Sequence, residues 1–194
     1  MTDWQKYHKI LSEKLSDNRY RHSVAVMERA GFLAELYGVD VKKAKLAGLL
    51  HDIMKNEENE MLLQFISNSA IILSVAEENA PPLWHAIGGF LYARDILKIE
   101  DEDVLNAIRY HTTGRKGMSD LEKVVYLADF TSADREYPDV EVTRKLSEES
   151  LDKAIIYCTK YLINDLLEKG KLLHQDTVDC YNELAGRELK ENEK

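Results

Sequence analysis

The sequence predicts an all-α fold, a single helical bundle, from three observations. Apolar residues recur three and four apart along several segments. No segment sustains an alternation of apolar and polar residues, and only three prolines (Pro81, Pro82 and Pro138) interrupt the chain. The elements follow in order. Trp4, Tyr7, Ile10, Leu11 and Leu15 lay out one face of a first amphipathic helix. A second helix is expected over 19–37, stopping at Gly38 as a plausible C-cap. Asp40 can cap a third, which carries Val41, Ala44, Leu46, Leu49 and Leu50 toward His51. After a polar stretch over 55–60, helices are expected at 60–65, 71–78, 82–98 and 101–110. Ser119-Asp-Leu-Glu122 is a capping-box pattern ahead of the apolar run Val124, Val125, Leu127 and Ala128. A short helix after Pro138, a long one over 151–167 and a last one from Thr177 into the polar tail complete the pattern, with no internal repeat or linker.

A chain of 194 residues suits one compact domain and not two. Its 26 basic against 35 acidic residues give a net charge of −9, which argues against a general grip on nucleic acid or on an anionic membrane. A small anionic substrate, needing only a local positive patch, stays open. Cys158 and Cys180 are too few and too far apart for a zinc ribbon, and read as reduced thiols of a cytoplasmic protein. The opening MTDWQKYHKILSEKL has no apolar core of a signal peptide, and the most apolar short stretch, AIILSVA at 70–76, is far below membrane-spanning length. Apolar helix faces leave a homodimer open, since composition does not separate an interface from a core.

Polar residues lodged among apolar ones carry the functional signal. Six stand out: His22, the adjacent pair His51-Asp52, His85, His111 and Asp129. Asp129 follows LEKVVYLA, and His51-Asp52 ends LAGLL and runs into Ile53-Met54. A carboxylate drawn into such surroundings must be paired, protonated or bound to a metal, because burying a lone charge is costly. Taken singly, each histidine reads as a hydrogen-bonded core or surface residue and each aspartate as a cap or surface charge. Together, with each on its own helix or helix end, they are candidate ligands of a shared metal site. Imidazole and carboxylate donors suit iron, manganese or other transition ions better than calcium or magnesium.

The spacing of His22, His51-Asp52 and Asp129 resembles that of HD-domain metal-dependent phosphohydrolases, and His85 and His111 match the subset that holds two metals. More specifically, RYRHS, LAGLLHDIMK, AIRYHTTGR, MSDLEKVVYLAD and GKLLHQDT resemble the YqeK family of bacterial symmetrical diadenosine-tetraphosphate hydrolases, from about Arg19 to Asn182. The resemblance implies a single HD-type domain over 1–194, with a metal-site core at about 19–135 and C-terminal helices at about 139–193 packed on it. It also implies two transition-metal ions, iron in this family. His22, His51, Asp52 and Asp129 would hold one, and Asp52 would bridge to a second completed by His85 and His111. The implied reaction is hydrolysis of diadenosine tetraphosphate to two ADP by water activated on the metals. Lys55 matches the lysine of the family's HDxxK pattern and lies one helical turn after Asp52. Arg135 matches the arginine that follows the last ligand. Asp52, Lys55 and Arg135 are thus the expected catalytic set. Lys55, Thr112, Thr113, Arg115 and Arg135 are the expected contacts to substrate phosphates.

Two departures stand against the pattern. After the aspartate ligand the family reads close to YIEPxR, whereas this chain has Phe130-Thr-Ser-Ala-Asp134-Arg135, which keeps the arginine and loses the acidic residue and the proline at their usual places. The late His-Pro is His174-Gln175 here, and His174, like His8, reads as structural. Two rivals remain. One is an HD-superfamily phosphatase or phosphodiesterase acting on another nucleotide. The other is a non-catalytic helical adaptor or sensor that retains metal, with the acidic stretches at 57–60 and 148–149 available to a basic partner.

Overall fold

Helix boundaries fall where capping chemistry stops them. The computed structural model describes residues 4–192, with side chains over 4–190, so residues 1–3 and 193–194 of the expected domain lie outside the described residues. Among the described residues every regular element is helical. Helix α1 (Trp4–Lys14) buries Leu11, and α2 (Asp17–Tyr37) begins two residues earlier than expected. Gly38 ends α2 at φ 68°, donating its N–H to the Ala34 carbonyl, a position where a side chain would be strained. Asp40 caps α3 (Val41–Leu50) by accepting from the Lys42 and Lys43 N–H groups. Helix α4 (Asn59–Ser67) follows the polar stretch.

The next segment differs from expectation. Of 71–78 only α5 (Val75–Glu78) is helical, because Ser74 and Glu77 form a reciprocal capping box that starts the helix there. The expected helix at 82–98 is broken into a 3-10 turn (Pro81–Leu83), α6 (Trp84–Leu91) and a π-helical turn (Tyr92–Ile96). It ends before Lys98, whose φ of 58° is left-handed. Asp101 caps α7 (Glu102–Tyr110), and the Ser119–Glu122 capping box opens α8 (Asp120–Thr131) as read from the sequence. Helices α9 (Val140–Glu149), α10 (Leu151–Glu168) and α11 (Gln175–Asn192) complete the chain.

Packing places α2, α3, α7 and α8 at the centre. Helix α2 lies against α3 and α8, α7 against α3 and α8, and α6 bridges α4 and α7, while α10 joins α8, α9 and α11. One core runs through them, from Leu11 and Leu33 through Leu49, Ile87 and Ile108 to Tyr126 and Ile155. The α2–α3 contact is close at Gly48, where a Cβ would stand 3.1 Å from the Ala30 Cβ and 3.2 Å from the Met27 Cα. Cys158 and Cys180 are buried free thiols, with burial pushing both up to about 12. No helix among the described residues is long and apolar enough to cross a membrane.

Candidate metal centre

All six candidate ligands converge between α2, α3, α6, α7 and α8. His22 lies in α2, His51 at the C-terminus of α3 with Asp52 in the turn beyond it, and His85 in the first turn of α6. His111 ends α7, and Asp129 comes from α8. Neighbouring rings are close: centroids are 5.3 Å apart for His22 and His51, 4.8 Å for His51 and His111, and 5.2 Å for His85 and His111.

Hydrogen bonds at the outer ring nitrogens turn two of these imidazoles inward. His51 Nδ1 donates to the Gly48 carbonyl at 2.7 Å, and His111 Nδ1 donates to the Ile108 carbonyl at 2.8 Å. A carbonyl can only accept, so each of these Nδ1 atoms carries a proton and, in the neutral ring, Nε2 keeps its lone pair. Around them, Asp129 Oδ1 is 3.0 Å from His22 Nε2 and 3.8 Å from His51 Nε2. Asp52 turns one oxygen each way. Its Oδ2 is 3.6 Å from His51 Nε2, and its Oδ1 is 3.1 Å from His85 Nε2 and 3.6 Å from His111 Nε2.

These donors fit a cation. His51 Nε2 and Asp52 Oδ1 are buried without a hydrogen-bond partner, a costly state that a metal would relieve. Two sets of donor atoms lie within 4.8 Å of one another, His22–His51–Asp129 and His51–Asp52–His111. They share His51. His85 Nε2, 3.2 Å from His111 Nε2, adjoins the second set.

Charge states suit ligation as well. Burial pushes His51 and His85 down to about 4, so both are neutral at ordinary pH. Burial disfavours the ionised form of Asp52, but the surrounding His51, His111 and His85 rings and the Lys55 ammonium hold it below the usual carboxylate range. Asp129 is likewise held low against burial, by His22, His51 and Arg135. His22 differs: burial works to lower it, yet its hydrogen bond with Asp129 and that carboxylate's charge carry it up.

Three cations rim the cluster. Lys55 Nζ lies 3.7 Å from Asp52 Oδ1 and donates to His85 Nε2 at 3.0 Å. Arg135 donates through Nε to the Asp129 carbonyl at 2.7 Å and pairs through Nη2 with its carboxylate. Arg19 Nη1, absent from the sequence-based set, is 3.4 Å from Asp52 Oδ2. Side-chain exposure rises from 0–4% at His51, Asp52, His85 and His111 to 28% at Lys55, 36% at Arg135 and 40% at Arg19. The buried anionic cluster therefore meets solvent through a cationic rim.

Other expected contacts are engaged elsewhere. Arg115 makes a two-point ion pair with Glu122, through Nε and Nη2 at 2.7 Å each, and lies over the Tyr110 ring. Thr113 is buried with its hydroxyl donated to the Gly114 carbonyl. Thr112 is half-buried in the turn after His111. Asp134, in the segment that departs from the family pattern, accepts from His22 Nδ1 at 2.8 Å through Oδ2, while Ser132 Oγ donates to its Oδ1 at 2.7 Å. His174 lies outside the cluster, its Nε2 3.6 Å from the Glu77 carboxylate. His8 Nδ1 is 3.0 Å from the Tyr20 hydroxyl.

Known proteins resemble this chain over most of its length. The HD domain family matches residues 19–134. A protein of Bacillus subtilis named bis(5'-nucleosyl)-tetraphosphatase, symmetrical, is 41% identical over 90% of this chain and 94% of its own length. Its namesake in Halalkalibacterium halodurans is 42% identical over 90% of this chain and 93% of its own. A crystal structure from Clostridium acetobutylicum, described as a "predicted HD superfamily hydrolase involved in NAD metabolism", has a TM-score of 0.93 and 37% identity, covering 96% of this chain and 99% of that one.

Proposed function

The chain belongs to the HD-domain family, and on that footing we propose that it is a metal-dependent enzyme cleaving diadenosine tetraphosphate symmetrically to two ADP. The observation that carries the reading is the pair of buried, unpartnered donors, His51 Nε2 and Asp52 Oδ1, at the junction of the two donor sets. His22, His51, Asp52 and Asp129 would hold one ion, and Asp52, His85 and His111 would hold a second. The opposed directions of the two Asp52 oxygens support its place in both sets. Iron suits the nitrogen and oxygen donors and is the metal implied by the family resemblance. When bound, the two ions supply a water of lowered pKa and neutralise phosphate charge.

The chain's own residues do the rest. His51 and His111, fixed through Nδ1 by main-chain carbonyls, present their ring lone pairs without reorganisation. Lys55, Arg135 and Arg19 offset the charge of the polyphosphate and of the departing ADP. Arg135 has Nε and Nη2 committed to Asp129, which leaves Nη1 for a phosphate oxygen. Arg115 and Thr113 serve the scaffold in this reading, since the polar groups that would meet phosphate are already engaged. The metal-site core over 19–135 and the helices from 139 onward act as one HD-type domain. Two buried unpaired thiols suit a reducing, cytoplasmic setting.

The test is to load the protein anaerobically with iron, supply diadenosine tetraphosphate and identify the products. ADP alone is expected. ATP plus AMP, or orthophosphate released from a mononucleotide, would favour the other HD-superfamily activity. Bound metal with no turnover across a nucleotide panel would favour the adaptor.

A further inference from the structure

Beside the cluster lies a cleft of about 280 Å³ lined by Phe130, Tyr137 and Tyr161 together with Asp129 and Arg135. It shares the last two residues with the metal centre and is therefore continuous with it. The three aromatic residues arrive from separate segments: Phe130 from α8, Tyr137 from the loop between α8 and α9, and Tyr161 from α10. Two of them are held in place. Phe130 stacks on the fully buried Tyr126 ring, with centroids 5.1 Å apart and planes 29° apart, and the Tyr137 hydroxyl donates to the Phe130 carbonyl at 3.1 Å. Tyr161 is different. Its ring lies 6.1 Å from that of Tyr137 at 32°, yet the residue is 48% exposed. A large aromatic face left half in water, continuous with a fixed aromatic wall and adjoining an arginine, is the arrangement that stacks a base while its phosphates reach a cation.

We propose that this cleft is the nucleoside subsite for one half of the dinucleotide, its purine stacking on the Tyr137–Tyr161 face while its phosphates run past Arg135 to the metal centre. The proposal rests on the hydrolase reading of that centre. Tyr137 and Tyr161 already contact each other, so the base covers their shared face and does not enter between them. Asp129 is paired with Arg135, whose Nη1 is left for phosphate, and the Tyr137 hydroxyl is bonded to a carbonyl. The base is therefore held chiefly by the ring face.

The test uses the manganese-loaded protein and two probes, ADP and inorganic pyrophosphate, with binding read by calorimetry. Tyr161→Ala is expected to weaken ADP binding about 5- to 140-fold, the range for loss of one base–aromatic stack, and to leave pyrophosphate binding within about twofold. Tyr161→Phe, which keeps the face, is expected to bind ADP like the parent. With diadenosine tetraphosphate the loss in Tyr161→Ala should fall on KM, with kcat within about threefold. ADP binding by Tyr161→Ala equal to the parent's, equal weakening of ADP and pyrophosphate, or no ADP binding by the parent would each overturn the subsite. A parent that fails to cleave the dinucleotide, but shows the ADP-specific loss in Tyr161→Ala, overturns the hydrolase reading alone. A parent that releases ADP, with ADP binding unchanged in Tyr161→Ala, overturns the subsite alone.

Discussion

Replacing Asp134 with alanine should weaken metal binding about tenfold. Its carboxylate accepts from His22 Nδ1 at 2.8 Å and is itself tethered by the Ser132 hydroxyl at 2.7 Å. It thereby directs His22 Nε2 toward Asp129, 3.0 Å away. Outer partners that orient a ligating histidine typically contribute about 10–100-fold to metal affinity. Asp134 is 40% exposed at its side chain, so water screens its charge and the lower end applies: about tenfold, or about 1.4 kcal/mol. Asp134→Asn keeps an acceptor for the ring N–H but loses the charge, and a loss of about threefold is expected. Ser132→Ala frees the carboxylate from its tether and should cost no more than Asp134→Asn. The assay is titration of Mn²⁺ into metal-free protein against a chromophoric chelator, with no substrate present. Thermal melts of each metal-free variant check the fold. A tight-binding Asp134→Ala variant, within twofold of the parent and with an unchanged melt, would refute the orienting role.

Three further outcomes follow from the same structure. His51→Ala or Asp52→Ala should abolish both metal content and hydrolysis, whereas Lys55→Ala should retain metal and lose substrate use; full occupancy with normal turnover in the Asp52 variant would remove the bridge. Arg115→Ala should leave kcat/KM within about threefold but lower stability by about 2 kcal/mol, since Glu122 would be left buried without its two-point partner, and denaturant titration beside kinetics separates the two effects. Glu77 sets an acid-side dependence. Burial works to raise it, but the neighbouring His174 ring and the hydrogen bonds from the Ser74 N–H and Arg109 hold it well below its ordinary 4.5. A depressed carboxylate contributes stability that is present above the unfolded value and lost as pH falls toward the folded one. The melting temperature of the parent should therefore drop more steeply than that of Glu77→Gln from pH 5.5 to 3, and parallel curves would contradict this.

What could be read beforehand divides along sequence distance. Helix ends announced by a side chain and its near neighbours were legible: Gly38, Asp40, and the Ser119–Glu122 box all do in space what their spacing predicts. The Ser74–Glu77 box carries the same signature, but the apolar run Ile71-Ile72-Leu73 ahead of it reads as part of a helical face and hides the start. Arg19 was within reach too, one turn before His22 on the same helix. By contrast, the Asp134–His22 contact joins residues 112 apart, and the meeting of Phe130, Tyr137 and Tyr161 depends on how α8 and α10 pack. Periodicity carries no record of either.

The candidate ligands themselves show why a joint pattern was needed where single residues were ambiguous. His51 and His111 both stand at helix C-termini, where the last carbonyls lack intrahelical partners. Each ring N–H takes one of those carbonyls, Gly48 and Ile108, three residues back. One bond thus caps the helix, sets the tautomer and turns the remaining lone pair to the centre. Taken alone, such a histidine has the sequence surroundings of an ordinary hydrogen-bonded core or capping residue. Gly48 ties the two levels together. It permits the close α2–α3 approach, and its carbonyl fixes His51, so a Cβ at residue 48 would press on α2 and disturb the ligand together. The candidate centre is in this sense a consequence of how these helices end.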